Sequence, residues 1–470
     1  ASNVGAAPGG PVYDSILAPV ELGSGGGGSD GGAGGGAVRL TVAGTLRVDG
    51  TISADGAPPA YAVRGAGAGG SIYLTANTLA GSGSLSANGA TLASGGGGGG
   101  RIALHYNTST FNGSITARGG TGTDNHGGAG TICTKLAAAQ YAQVLVDNGG
   151  QVGLTRLNAA LWPAGTLFDL TLAGSALVKP DAPLTFVNLV LTNGAMLSHD
   201  AVQSGFFLTA LGNALIAANA AINVDGLGYG SQTGPGAGSQ SVYGYGSGAG
   251  HGGAGQASYA GEPPQPVFGG GTYGSATEPI TLGSGGGANG GGAGGPGGAG
   301  GGAIRLTVAG TLQLDGAILA NGLAGEPQRG SGAGGSIWIT ADTLAGSGSV
   351  SALGGGASAY GAAGGGGRIA IYTYSTAGFD TNHISFAGAA GPGTLRFGYP
   401  PPRPSVEVAG PALRVSWRTG SGASYQLWST PNFTTWSPYG PLRAGTGGIL
   451  IQDCPMTNSP GLFFRVQMAN

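Results

Sequence analysis

Charge is scarce in this 470-residue chain: 17 Lys and Arg face 19 Asp and Glu, only 8% of residues are charged, and the net charge is −2. Lys135 and Lys179 are its only lysines. Nucleic-acid binding requires clustered cations that displace counterions, and no such cluster occurs, so no nucleic-acid partner is expected. No apolar run approaches the roughly 18 residues needed to span a bilayer as a helix, so membrane insertion is not expected. Cysteine is limited to Cys133 and Cys454, whose separation fits no metal knuckle. In an exported protein these two are candidates for a disulfide, within the chain or between neighbours. In a reducing compartment they would be two small buried apolar residues. So few charges also remove the repulsion that keeps monomers apart, which predicts self-association. The chain begins Ala-Ser-Asn, without Met or an apolar leader, as expected of a mature exported product.

Glycine is what the sequence has in excess. With 107 Gly and 26 Pro, 133 of 470 residues are of these two types. That share ordinarily accompanies low complexity or disorder. Disorder also needs low hydrophobicity and high net charge, whereas 40% of this chain is hydrophobic. Glycine therefore serves a regular architecture with a buried core.

The architecture is written in internal repeats. Residues 37–50, AVRLTVAGTLRVDG, return at 303–316 as AIRLTVAGTLQLDG, with 11 of 14 positions identical. Residues 65–87 return at 330–352 with 18 of 23 identical, GGGGRIALHY (97–106) answers GGGGRIAIYT (364–373), and GAGTI (128–132) answers GPGTL (391–395). The lead-in repeats too: Tyr13, Pro19 and LGSGGG (22–27) correspond to Tyr273, Pro279 and LGSGGG (282–287). Length differs mainly inside glycine tracts, as for loop insertions around a fixed scaffold.

Within each copy Leu40, Val42, Leu46, Val48 and Ile52 alternate with polar residues, the period-2 signature of half-buried strand. Between the copies Leu170, Leu189 and Leu208 open similar segments at a constant spacing of 19 residues. Short strands at one coil length predict parallel stacking of successive turns. The fold class expected is all-β: a right-handed glycine-rich β-solenoid, or parallel β-helix, with a β-sandwich as the alternative for some segments. The glycine tracts at 23–37, 94–100 and 283–303 are either flexible linkers or extended arms packed side by side on the wall. Their identical entry and exit residues favour packed arms.

The expected organisation is a first repeat over 1–135, truncated at its start, connecting coils over 136–205, a second repeat over 206–399 and a distinct module over 400–470. The module follows PPPRP (400–404) and is rich in aromatics, with strand-like runs that suggest a small antiparallel sandwich. Its segment LRVSW…YQLWSTPNFTTW…FFRVQ resembles the fibronectin-III or immunoglobulin-like modules that end many bacterial secreted proteins. The stretches GGAVRLTVAGTL and GGSIYLTANTLAGSGSLSANG resemble glycine-rich solenoid repeats of such surface proteins. These resemblances imply export to the cell surface or beyond, and no catalytic motif or cofactor.

Solenoids can carry polysaccharide-cleaving sites built from clustered carboxylates, but the acids here are scattered. Asp49, Asp315 and Asp225 sit in Asp-Gly pairs and are expected to be turn residues. HGGAG at 126–130 and 251–255 lacks metal-ligand neighbours, so each His is expected to bond a loop carbonyl. Arg39, Arg305, Arg101 and Arg368 each follow a glycine tract and are expected to donate to exposed loop carbonyls, with binding of an acidic polysaccharide as the alternative. Tyr229, Tyr243, Tyr245, Tyr259 and Tyr273 are expected to pack over glycine, with sugar stacking as their alternative. The expected function is that of a structural subunit of an extracellular filament or surface matrix, not an enzyme. It would assemble as a head-to-tail homopolymer through its solenoid ends and terminal segments, with Tyr13, Ile16, Leu17, Trp417, Trp428 and Trp436 as candidate contacts. The alternative is a monomeric adhesin or polysaccharide-binding protein.

Overall fold

The alternating segments form strands that climb between two walls. In the first copy these are β1 (Ala37–Arg47), β2 (Thr51–Ser53), β3 (Ser71–Ala80), β4 (Ser84–Ser86), β5 (Arg101–Ser109), β6 (Ser114–Thr116) and β7 (Thr131–Leu136). The long strands pair in parallel, Ala37 with Ser71, Ser71 with Arg101, and Arg101 with Thr131. The short ones form a parallel sheet opposite, and Ile72, Leu74, Ile102 and Leu104 meet Ile52, Leu85 and Ile115 in the core between. This computed structural model describes residues 10–61, 64–93, 95–123, 125–158, 161, 165–240, 244–260, 265–290, 295–376, 378–456 and 462–469. Among them there is no α-helix.

The connecting coils supply β8 (Ala142–Asp147), β9 (Leu154–Leu157), β10 (Phe168–Ala173), β11 (Leu177–Pro180), β12 (Leu184–Phe186), β13 (Leu189–Leu191), β14 (Met196–Leu197), β15 (Phe207–Ala210), β16 (Ala214–Ile216) and β17 (Ala221–Asn223). After a small antiparallel hairpin, β18 (Ser258–Ala260) and β19 (Gln265–Val267), the second copy follows. It contains β20 (Ala303–Leu314), β21 (Ala317–Leu319), β22 (Ser336–Ala345), β23 (Ser349–Ser351), β24 (Arg368–Ser375), β25 (Ile384–Ser385) and β26 (Thr394–Gly398). Both copies and the coils between them share one 14-stranded sheet, and a 7-stranded sheet from β9 to β25 faces its later part.

The constant 19-residue spacing holds for one step only. Leu170 pairs with Leu189, but Leu189 pairs with Ala214, and Leu208 pairs with Leu184. That coil is longer, and its two wall strands, β15 and β16, stack on β12 and β13 of the coil before. The third leucine match was therefore a coincidence of composition.

The wall is parallel except at β7 and β8, where Ile132 faces Leu145 and Cys133 faces Val144 in antiparallel register. Leu145 packs against the first copy's core with Ile132, whereas Cys133 and Val144 belong to the second stack's core. The two cores thus lie on opposite faces of one sheet. Reversing strand direction while moving the core to the other face equals a half-turn about the stacking axis. Both stacks consequently share the same hand.

Where they are described, the glycine tracts are ordered arms, bonded backbone to backbone beside the walls. Gly23 donates to Gly35 at 2.8 Å, Gly35 to Ala68 at 2.8 Å, Gly69 to Gly98 at 2.9 Å and Gly99 to Gly128 at 2.9 Å. Gly67 both donates to Ala57 and accepts from Ala90, so each arm bonds neighbours on more than one side. This satisfies main-chain groups that no β-ladder reaches. It also demands the absence of side chains: a Cβ at Gly120 would collide with the Ala90 carbonyl, and one at Gly130 with the Gly100 carbonyl.

The last segment forms two small antiparallel sheets. β27 (Ser405–Ala409) and β28 (Ala412–Arg418) join β32 (Ile449–Pro455) in one; β29 (Ser424–Thr430), β30 (Ser437–Pro438) and β31 (Arg443–Ala444) join β33 (Phe463–Ala469) in the other. Val415, Trp417, Tyr425, Leu427, Leu450 and Cys454 form their core. Arg418 ties this module to the solenoid, 3.2 Å from Asp342 and over the Tyr374 ring at 5.2 Å.

Candidate assembly surface

Each copy is stapled by the same device. Tyr13 donates its hydroxyl to the Leu22 carbonyl, and Arg101 donates to the Tyr13 carbonyl at 2.9 Å and to Thr131 at 3.0 Å. In the second copy Tyr273 donates to Leu282, and Arg368 donates to Tyr273 at 2.7 Å and to Thr394 at 3.2 Å. Burial pushes the Arg101 guanidinium down to about 10, with Asp14 opposing the shift. These two arginines fulfil the expected role of bonding loop carbonyls. Arg39 and Arg305 do not. Arg39 lies over Tyr73 at 5.2 Å, and Arg305 over Trp338 at 4.2 Å and Phe207 at 5.5 Å, because their wall positions face aromatic neighbours on adjacent strands.

What differs between the copies is their cover. β20 is sandwiched between β22 on one side and β15 with β16 on the other. β1 has β3 on one side and, among the described residues, is the terminal strand of the sheet. Leu306 is fully buried, and its counterpart Leu40 is 38% exposed. An edge strand of this length offers a row of backbone donors and acceptors to another strand. At the far end of the sheet stands β26, with Phe397 exposed.

The candidate contact residues divide by position. Tyr13 is exposed beside the β1 end, and Leu17 is half-buried. Ile16 is 1% exposed in the chain's own core, and its amide donates to Leu161 at 3.0 Å. Trp417 is buried inside the C-terminal module. Ile16 and Trp417 are thus core residues, not contacts between copies: a short N-terminal segment folds back over the wall, and Trp417 points inward from β28. Trp428 and Trp436 are half-buried under the Arg465 guanidinium. Cys133 and Cys454 are unpaired and buried in different cores, so no disulfide joins them here. Burial pushes the Cys133 thiol up to about 12.

The acids act on backbone. Asp49 accepts from the Ser82 amide at 3.2 Å, Asp315 from Ser347 at 3.1 Å, and Asp225 from Asn321 at 2.6 Å, each stapling a turn to the next coil. Asp49 and Asp315 line equivalent open grooves in the two copies. Among the described residues no group of His, Cys, Asp and Glu is arranged to hold a metal. His126 accepts from the Gly122 amide at 3.2 Å. His251 is fully buried, with Nδ1 2.8 Å from the Gly334 carbonyl and Nε2 2.8 Å from the Thr281 hydroxyl, and burial pushes it down to about 4. A carbonyl only accepts, so Nδ1 carries a proton, and burial favours the neutral ring over the imidazolium. Among the tyrosines, Tyr245 stacks on Tyr360 and Tyr273 packs against His251. Tyr243 and the Tyr259 side chain lie outside the described residues.

The unequal burial of β1 and β20 is not legible in either copy alone. No protein-family model, curated protein or solved structure matches the chain.

Proposed function

We propose that the chain is a structural subunit of an extracellular filament or surface matrix, joined to like subunits head to tail through the open ends of its solenoid. One observation carries this reading: among the described residues β1 stands as a bare edge, where its near-identical twin β20 is covered on both sides. Bare edges of regular strands recruit further strands unless charge, proline or a bulge blocks them. The β1 edge contains no proline, and its apolar column is partly open to solvent. A bulge does interrupt its register against β3 between Val42 and Thr45, yet β20 carries the same irregularity and is covered nonetheless.

The low charge of the chain supports self-association, and the bonded glycine arms stiffen the element that would bear load. Two ends that do not close on each other propagate contacts into a fibre. We further propose that the C-terminal antiparallel module is a fibronectin-III or immunoglobulin-like connector at the far end. Light scattering and negative-stain microscopy across a concentration series test the reading. Particles that lengthen with concentration are expected, and a monodisperse monomer at every concentration contradicts it.

A further inference from the structure

The six residues LGSGGG occur twice and live in two environments. Leu282 is 5% exposed and Leu22 is 65% exposed. Ser284 to Gly287 are all buried, whereas Ser24, Gly25 and Gly27 are exposed. Since the sequence is the same, the difference lies in the cover that the second copy has.

That cover comes from one stretch of chain, described at 206–240 and 244–250. Its strand β15 runs parallel to β20, pairing Phe207 with Arg305, Leu208 with Leu306 and Ala210 with Val308. β16 pairs Ala214 with Leu312 and Ile216 with Leu314, and β17 pairs Ile222 with Ile318. The chain then leaves the wall as a glycine-rich arm over the LGSGGG tract. Tyr229 donates to Gly283 at 2.9 Å, Gly285 to Thr233 at 3.1 Å and Gly287 to Ser247 at 2.8 Å.

The first copy presents equivalent receiving residues: Arg39, Leu40, Val42, Leu46, Val48 in place of Leu314, and Ile52, then Gly23, Gly25 and Gly27. Stacked in the wall register, strand β26 of a second copy meets β1 less favourably than this coil does. In the wall column Arg305, Trp338, Ala370, Arg396, its arginine would be set directly against Arg39. Like charges directly opposite on adjacent strands destabilise the pair. The coil over β20 instead places Phe207 on the arginine, 5.5 Å from its guanidinium carbon to the ring centre.

We propose that the β1 end is a receptor for a polypeptide coil with the chemistry of residues 206–250. Such a coil brings an aromatic-Leu-x-Ala strand parallel to β1, a second apolar strand beyond it, and a glycine-rich arm bonded to the tract Gly23–Gly27. This rests on the assembly reading for its choice of surface, and differs from it in specifying what the surface accepts.

The test uses the full chain and a synthetic peptide of residues 203–250, followed by hydrogen exchange and by direct titration. Saturable binding is expected, with exchange of β1 amides and of the Gly25 and Gly27 amides slowed at least about tenfold. A peptide carrying Leu208→Lys, and a chain carrying Leu40→Lys with an unchanged melting temperature, should each bind at least about tenfold more weakly. Absence of saturable binding, or protection confined to other strands, overturns the proposal even if the chain polymerises, and the assembly reading then survives. Peptide binding by a chain that stays monomeric supports the proposal and removes the homopolymer instead.

Discussion

Cys133 faces Val144 across the antiparallel step of the long sheet, with both side chains in the second stack's core while their strand neighbours Ile132 and Leu145 serve the first. This pair marks where the solenoid turns by half a revolution and changes the face on which it keeps its core. A polar atom at Cys133 would be buried. Cys133→Ser is expected to lower stability by about 1–3 kcal/mol, the cost of burying an unsatisfied hydroxyl, measured by urea denaturation. Reductant should leave the melting temperature of the wild type unchanged, because both thiols are free. A thiol pushed up to about 12 should also resist alkylation until the chain unfolds.

The glycine arms predict a sharp contrast between neighbouring residues of one tract. A Cβ at Gly97 would run into the Gly67 carbonyl, while at Gly98 nothing lies within 4 Å. Gly97→Ala should cost about 1–3 kcal/mol through forced backbone movement. Gly98→Ala should be neutral or slightly stabilising, since alanine restricts the unfolded chain. Equal effects of the two substitutions in thermal melts would mean that the arms do not pack as described.

Acid should loosen the second copy through His251. The unfolded chain takes up this proton near pH 6.5, but the folded chain only near 4, because burial disfavours the imidazolium and Arg368 adds repulsion. Stability from this group is therefore complete above pH 6.5 and falls as pH drops toward 4, by roughly 3 kcal/mol at most. His199 and His105 are also pushed down by burial and add to the slope. The difference between wild type and His251→Gln over pH 7 to 4 isolates the His251 share, and parallel curves would contradict it.

One substitution made at twin positions should have opposite consequences. Leu306→Lys buries a charge in a closed core and should cost about 3 kcal/mol or more, or prevent folding. Leu40→Lys, at the open edge, should change monomer stability by less than about 1 kcal/mol while shortening any polymer. Denaturation and particle-length distributions together read both effects.

Much of the fold was legible because repetition and alternation report directly on stacking and burial. The pairing of 37–50 with 303–316 placed both copies, and Leu40, Val42 and Leu46 marked the inward face. The false third step at Leu208 shows the limit: leucine recurs often enough in such walls that a spacing can match without a register. The half-turn at Cys133 left no trace, since β7 and β8 alternate in either direction. Ile16 was misplaced because a lone apolar residue in an irregular lead-in does not disclose what it folds onto. Arg39 and Arg305 were misassigned because the aromatics they meet come from strands 33 or more residues away. The bare β1 edge emerges only by setting two nearly identical sequences in their different surroundings.

Hydrogen exchange of β1 and β20 within the same molecules, at low and at high protein concentration, probes the joining end most directly. The amides of β20 should be slow throughout, and those of β1 fast in dilute solution and slow once particles form. Polymers in which β1 still exchanges as fast as in the monomer would place the joint elsewhere and contradict the account.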